Sequence, residues 1–240
     1  METRYHRAPR LGTSPPVTKQ QLDPAARETP RVADAAHACV GTFGLLAALA
    51  AVEHGVGEIL QGFRPAGSVT FPSWPDSAAF ASLAGEPAMS LVPNLGLSGI
   101  LSILVATVLA VAAVRSAHLA HAGLVLAGIS VALLLAGGGF GPPLLGIILA
   151  VTAARALAPG RPQGRIRRRL SRWWRPLLVV TALAYLGLFP GTVVLSWLAG
   201  IDSAGLVVVL IALAFGGIAL TMTAALTHDR LLAMTERDRG

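Results

Sequence analysis

Charge is in short supply in this 240-residue chain. Asp, Glu, Lys and Arg make up 13% of it, against about a quarter of an ordinary soluble domain. That shortage excludes both a disordered polyelectrolyte and a conventional water-soluble enzyme. Cysteine is limited to Cys39, so no intrachain disulfide can form and the redox compartment is left unmarked. Lysine is limited to Lys19, and the other basic residues are all Arg. With the abundant Ala and Gly, that skew reads as GC-rich bacterial coding and not as a nucleic-acid surface. No apolar leader stands among the first 30 residues, which are polar and rich in Pro and Arg. Residues 1–34 are therefore expected to form a disordered basic cytoplasmic tail.

What the chain has is apolar length. It is 54% hydrophobic with a mean hydropathy of +0.65, which calls for an integral membrane protein. Six runs suit spans: His37–Leu60, Leu91–Val114, Leu119–Leu135, Pro142–Leu157, Pro176–Ala199 and Leu206–Leu226. Thr29 with Pro30, and Ser90, are the expected helix starts for the first two. Between the third and fourth, Gly137-Gly138-Gly139-Phe140-Gly141-Pro142-Pro143 breaks a long uncharged stretch, because a continuous helix does not absorb it cheaply. A tight outer turn is the simplest reading of that string, and a re-entrant element the alternative. Pro190-Gly191 is the expected kink of the fifth.

The fold class predicted is thus all-α, a polytopic membrane bundle of six transmembrane helices with both termini cytoplasmic. The membrane domain covers residues 35–227, with an outer loop at 62–90 and a basic amphipathic segment at 158–175. Residues 228–240 form a C-terminal cytoplasmic tail. The basic residues support this orientation. Under six spans, only Arg64 falls on the outer side and all the others fall on the cytoplasmic side. Small-residue pairs at Gly44/Ala48, Gly146/Ala150/Ala154 and Ala212/Gly216 suit close helix approach in lipid.

Four groups carry candidate chemistry. The first is Glu53-His54-Gly55-Val56-Gly57-Glu58 at the end of the first span. Ionisable groups are expensive in lipid and face a partner or a cavity. At 100° per residue His54, Glu58 and Gln61 share an arc while Glu53 points elsewhere. Asn94, Ser98 and Ser102 form a polar stripe on the second span, and Asp76 and Glu86 reach the same rim from the loop. Imidazole and carboxylate oxygens suit Zn²⁺ or a similar divalent metal, so His54, Glu58, Asp76 and Glu86 are the candidate ligands. Gln61, Asn94, Ser98 and Ser102 are the candidate polar lining. The competing reading is a set of structural bonds, with Arg64 among them, that ties the loop down.

The second group is Gly96-Leu97-Ser98-Gly99, which matches the G-x-S-G string of rhomboid-type intramembrane proteases over four residues. In that family the His follows the Ser, and here His54 precedes it, so only an independent Ser98–His54 dyad survives. The third is the Gly137–Gly146 string, which lacks the Lys-Ser/Thr of a phosphate loop. The fourth is the segment from Arg165 to Arg175. Ile166, Leu170, Trp173 and Trp174 share one helical arc there, and the arginines take the rest. This is a basic amphipathic helix for anionic lipid headgroups, carried by Arg165, Arg168, Arg169, Arg172, Trp173 and Trp174, with no nucleic acid as partner. Asp76 is expected to cap a short helix, Ser77–Leu83. Phe71, Trp74 and Phe80 are expected at the membrane interface.

The strings Glu53–Gly62, Ser73-Trp74-Pro75-Asp76-Ser77, Gly85–Met89 and Gly137–Gly146 resemble a family of small bacterial multi-pass membrane proteins without a characterised activity. The likeness spans roughly residues 40–155, and it implies no chemistry. Three functions fit the sequence: binding or passage of a cation, metal or proton at the outer acidic/His group; a membrane-embedded metal- or Ser-dependent hydrolase; or a non-catalytic assembly or regulatory subunit, as a homo-oligomer or with a membrane partner. The expected location is the bacterial cytoplasmic membrane.

Overall fold

The computed structural model describes residues 34–77, 80–81, 84–156, 164–191, 194, 198 and 204–239. Thr29 and Pro30, Asp202, and nearly all of the expected N-terminal tail lie outside them. The elements in chain order are α1 (Asp34–Leu60), β1 (Thr70–Pro72), β2 (Pro87–Met89), α2 (Leu95–Val114), α3 (Ala122–Leu135), α4 (Gly141–Ala156), α5 (Arg165–Ser171), α6 (Trp174–Leu186) and α7 (Ala204–Arg237). The chain is mostly helical. By length and composition α1, α2 and residues 205–236 of α7 can each cross a membrane. The apolar helices α3, α4 and α6 are shorter, at 14, 16 and 13 residues. At 1.5 Å per residue they run about 20–24 Å, short of the ~30 Å hydrocarbon core.

The helix ends follow local chemistry. α2 begins at Leu95, not near Leu91, because Pro93 disfavours helical backbone before it. Asn94 is its cap, accepting from the Leu97 N–H at 3.1 Å. Ser90 is therefore not the cap; its hydroxyl accepts from the Val92 N–H and its backbone bridges to Ala136. α6 passes into a π-helical turn at Gly187–Gly191. Pro190 has no N–H to hold an α-helical ladder there. The expected kink is thus a widened turn. α7 continues ten residues past Thr227 to Arg237, so the expected C-terminal tail is largely helix.

The helices pack as antiparallel pairs around α1. Along α1 and α2, Gly44 meets Ala113 and Gly55 meets Gly99, and neither glycine leaves room for a Cβ. Between α3 and α4, Gly146 abuts Ser130 and Gly123 abuts Ala150 and Ala154. Between α6 and α7, Tyr185 meets Phe215 and Trp174 meets His228, with ring centroids 6.5 and 5.8 Å apart. Apolar packing alone brings little in lipid, so such close backbone approach carries the association. The Ala212/Gly216 pair does not take part: a methyl at Gly216 would meet nothing within 4 Å, and Ala212 is exposed. At one end of the bundle Asp229 of α7 closes on the start of α1, accepting from the Ala35 and Ala36 N–H groups at 3.1 and 2.8 Å. A carboxylate suits the positive end of a helix dipole.

The opposite end carries the loop between α1 and α2. It folds into an antiparallel hairpin, with Thr70 opposite Met89, Phe71 opposite Ala88 and Pro72 opposite Pro87. Phe71 packs with Ala88 and Leu95, and Trp74 stacks on Phe80 at 5.3 Å. Phe71 and Phe80 are buried, so these aromatics bind the loop to itself. Asp76 is exposed in a turn. Residues 78–79 and 82–83 of its expected helix lie outside the described residues. Gln61 seats the hairpin on α1: its amide donates to the Pro72 and Ser73 carbonyls at 3.1 and 2.9 Å.

Candidate cation site beneath the hairpin

The hairpin lowers two groups onto the last turns of α1. The Ser73 N–H donates to the Glu86 carbonyl at 3.0 Å, and the Trp74 N–H donates to that of Gly85 at 2.9 Å. Ser73 Oγ lies 3.0 Å from His54 Nδ1. On the other side of the ring, His54 Nε2 lies 3.4 Å from Glu86 Oε2. Ser73 therefore ties the loop and the imidazole together and holds the ring's second nitrogen toward Glu86. His54, Ser73 and Glu86 are all buried. Ala84, Gly85 and Glu86 have φ of +53°, +71° and +52°. For Ala84 and Glu86 this left-handed backbone costs about 1–2 kcal/mol each. The fold holds Glu86 inward against that strain.

The glycine string closes the site from the α3–α4 side. Ala136 to Gly139 are all buried under the hairpin, where the Leu91 N–H donates to the Leu135 carbonyl at 2.9 Å. The string is a tight turn covered by the hairpin. Gly139 (φ +71°) lies against His54 Nε2 so closely that a Cβ has no room. Gly137 (φ +101°) faces Ser98 Oγ and the Glu58 carboxyl, whose two oxygens would lie 2.6 Å from a Cβ. These two positions need glycine for both conformation and space.

The expected ligand set does not gather. His54 meets Glu86, Glu58 turns to Gly137, and Asp76 is exposed. Among the described residues no three His, Cys, Asp or Glu side chains are placed to hold a metal ion. The expected polar lining is structural. Ser98 donates to the Ala136 carbonyl at 3.0 Å and Ser102 to that of Ala51 at 3.1 Å. Asn94 caps α2 and Gln61 seats the hairpin. Arg64, expected as an ion-pair partner, donates to Gln61 instead. The Ser98–His54 dyad is not formed, since both ring nitrogens of His54 face Ser73 and Glu86. Glu53, placed on another arc by the helical wheel, comes within electrostatic reach of Glu86 because the hairpin brings Glu86 to it. Tyr185 of α6 lies within electrostatic range of both carboxyls.

Three carboxyl groups, Glu53, Glu58 and Glu86, thus lie at this end of the bundle, and only that of Glu86 meets the imidazole. Both oxygens of Glu53, and Oε2 of Glu86, are buried without a hydrogen-bond partner among the described residues, and the buried Glu58 carboxyl has the Ser98 hydroxyl beside it. The His54–Glu86 contact is the one carboxyl–imidazole contact among the described residues of the site, and it is an ion pair only when the ring is protonated and the carboxyl is not. Burial pushes the Glu86 carboxyl up to about 7. Beside this pair lies a cavity of about 190 Å³ lined by His54, Glu86, Pro87, Phe140, Gly141, Pro142, Leu188, Ile211 and Phe215.

At the far end of the chain's charge pattern, α5 carries Arg165, Arg168 and Arg169, with Arg172 at its cap. Ile166 and Trp173 are exposed, whereas Trp174 is tucked between His228 and Arg175. The expected apolar arc therefore loses Trp174, because the helix breaks between Ser171 and Trp174. No family model matches the chain, nor does any curated protein or solved structure. The chemistry has to be argued from the site itself.

Proposed function

We propose that this chain is a multi-pass protein of the bacterial cytoplasmic membrane that binds a cation at the carboxyl–imidazole group under the hairpin. The observation that carries this reading is the charge imbalance of the site. Three buried carboxyls against one imidazole must each be protonated or matched by a positive charge, since an unpaired charge away from water is costly. A cation that enters releases protons, so binding and proton exchange are one event here. The Arg pattern favours six spans with both termini cytoplasmic, which puts the hairpin and its site on the outer side. The exposed arginines of α5, with Ile166 and Trp173, suit anionic lipid headgroups on the inner leaflet.

Calorimetry on the purified protein tests this. Titration with sodium, potassium, calcium, zinc and alkylammonium salts is run in two buffers of different ionisation heat. At least one cation should bind with proton release, and Glu86→Gln should abolish it. No binding heat from any of these salts, or equal binding by the variant, overturns the reading.

A second reading is a serine hydrolase, favoured by the Ser73–His54–Glu86 chain of contacts. It resembles a nucleophile, base and orienting acid, with the two ring nitrogens exchanged relative to the common wiring. Ser73 is 0% exposed and is not on the cavity wall, which ranks this second. Labelling of Ser73 by a fluorophosphonate probe, lost in His54→Gln, would promote it over cation binding.

A further inference from the structure

We propose that the cavity beside Glu86 holds a small organic cation with an apolar body, such as an aryl- or alkylammonium ion. This rests on the cation-binding reading and specifies its ligand. The wall has two parts of opposite character. Glu86 is 4% exposed, and its Oε2 makes no hydrogen bond and has only the 3.4 Å contact to His54 Nε2. Everything else on the described wall is apolar: Phe140, Pro142, Leu188, Ile211 and Phe215 among them.

A hard inorganic cation is poorly served by such a wall. Calcium takes six to eight oxygens and zinc about four ligands, whereas this cavity presents one carboxyl and one imidazole that is already engaged by Ser73. A neutral apolar guest would leave Glu86 Oε2 with only its 3.4 Å contact to His54. An anion would face the carboxyl. An ammonium head on an apolar body satisfies both parts. The head pairs with Glu86, and aromatic faces such as those of Phe140 and Phe215 favour a nearby cation. The body fills a volume of 190 Å³, which suits one ring and a few methyl groups, since a cavity of about 150 Å³ already accepts benzene.

Benzyltrimethylammonium is the probe, because its charge does not titrate. Titrated calorimetrically into the full-length protein in detergent, it should bind saturably. Glu86→Gln should weaken it by about ten-fold or more, as for truncation of one partner of a buried charge pair. Ile211→Trp, which fills the cavity without touching a charge, should abolish binding. Neopentylbenzene, the neutral isostere, should bind at least about ten-fold more weakly. Should Ile211→Trp fail to fold, Phe215→Leu replaces it and should weaken binding several-fold by removing an aromatic face. Equal binding of the neutral isostere, or unchanged binding in the cavity variant, overturns the inference. Failure of benzyltrimethylammonium with Glu86-dependent binding of sodium, potassium, calcium or zinc overturns the inference alone and leaves the cation site standing. Failure of all of them removes both.

Discussion

Alanine at Gly139 tests the closure of the site most directly. Gly139 has φ +71°, where a Cβ costs about 1–2 kcal/mol in backbone strain. The same methyl would press on His54 Nε2 inside contact distance. Displacing a packed ring from a filled interior adds about 1–3 kcal/mol, for a total of about 2–5 kcal/mol. Two other glycines separate these parts. Gly62 has φ +88° but nothing within 4 Å of a Cβ, so Gly62→Ala should lose only the strain of about 1–2 kcal/mol. Gly128 stands in α3 with open space around it, so Gly128→Ala should gain about 0.5–1 kcal/mol. Equilibrium unfolding in mixed SDS micelles gives the three values, and nitrogen NMR of the His54 ring reports whether the imidazole moves. Equal losses at Gly139 and Gly62, with unmoved ring signals, would refute the claim that the glycine turn bears on His54.

Glu86 should make stability pH-dependent. Its carboxyl is raised from 4.5 to about 7 in the fold, with Glu53, His54 and Tyr185 the titratable groups facing it. The neutral form therefore favours the folded state fully below about pH 4.5, and the benefit is lost as pH rises through about 7. At 1.36 kcal/mol for each tenfold, that is about 3 kcal/mol. Unfolding curves from pH 4 to 8 should show the decline in wild type and a flatter profile in Glu86→Gln; superimposable profiles count against a buried Glu86. Asp229→Ala should cost about 2 kcal/mol by stripping the cap from α1, and Asp229→Asn, which keeps an acceptor, less than that. Identical melting of all three proteins would mean the clasp is idle. Replacing Arg165, Arg168, Arg169 and Arg172 with Gln should remove most of the thermal stabilisation given by anionic over zwitterionic lipid; retention of the full difference would place the lipid contact elsewhere.

The sequence shows the helical bundle well, because membrane helices must satisfy their own backbone and so betray themselves as apolar runs. The observed ends of α3 and α4 lie within three residues of those read from the Gly-rich break. The site was legible in part. His54, Glu58 and Glu86 stand out because charge is rare in such a chain. Their partners did not. Glu53 points away on a helical wheel and joins Glu86 only because a loop, which no periodicity describes, folds over it. Ser73 gives no signal in a Ser-Trp-Pro stretch, and Tyr185 comes from a helix remote in sequence. Ser98 and Ser102 looked like a polar stripe, yet each hydroxyl is consumed by a carbonyl on a neighbouring segment. Spacing along one helix cannot show where a side chain's hydrogen goes. Three of the expected six spans, α1, α2 and α7, are long and apolar enough to cross a membrane, and α3, α4 and α6 are shorter apolar helices.

The position of the carboxyl group relative to the rest of the interior bears on binding against passage. Beneath the site, α1 buries Phe43, Leu46 and Ala47, and its neighbours bury Leu109, Leu126, Leu133, Leu145, Leu149 and Ile218. The hydroxyls between them are spent within the helices, Ser130 on the Leu126 carbonyl and Thr152 on that of Ile148. A cation moving toward the Asp229 end would find few described acceptors, the paired Thr181 and Thr221 hydroxyls among them, and an ion with too few acceptors in hydrocarbon is opposed by several kcal/mol or more. The conformation described thus separates the carboxyl site at one end from the Asp229 end by a largely apolar interior. The strain at Ala84 and Glu86 belongs to the same picture, since a loop under tension can release the carboxyl toward water without disturbing the dry helices below. On the proposed cation reading, exchange would run through the hairpin, and passage would require the helices themselves to part.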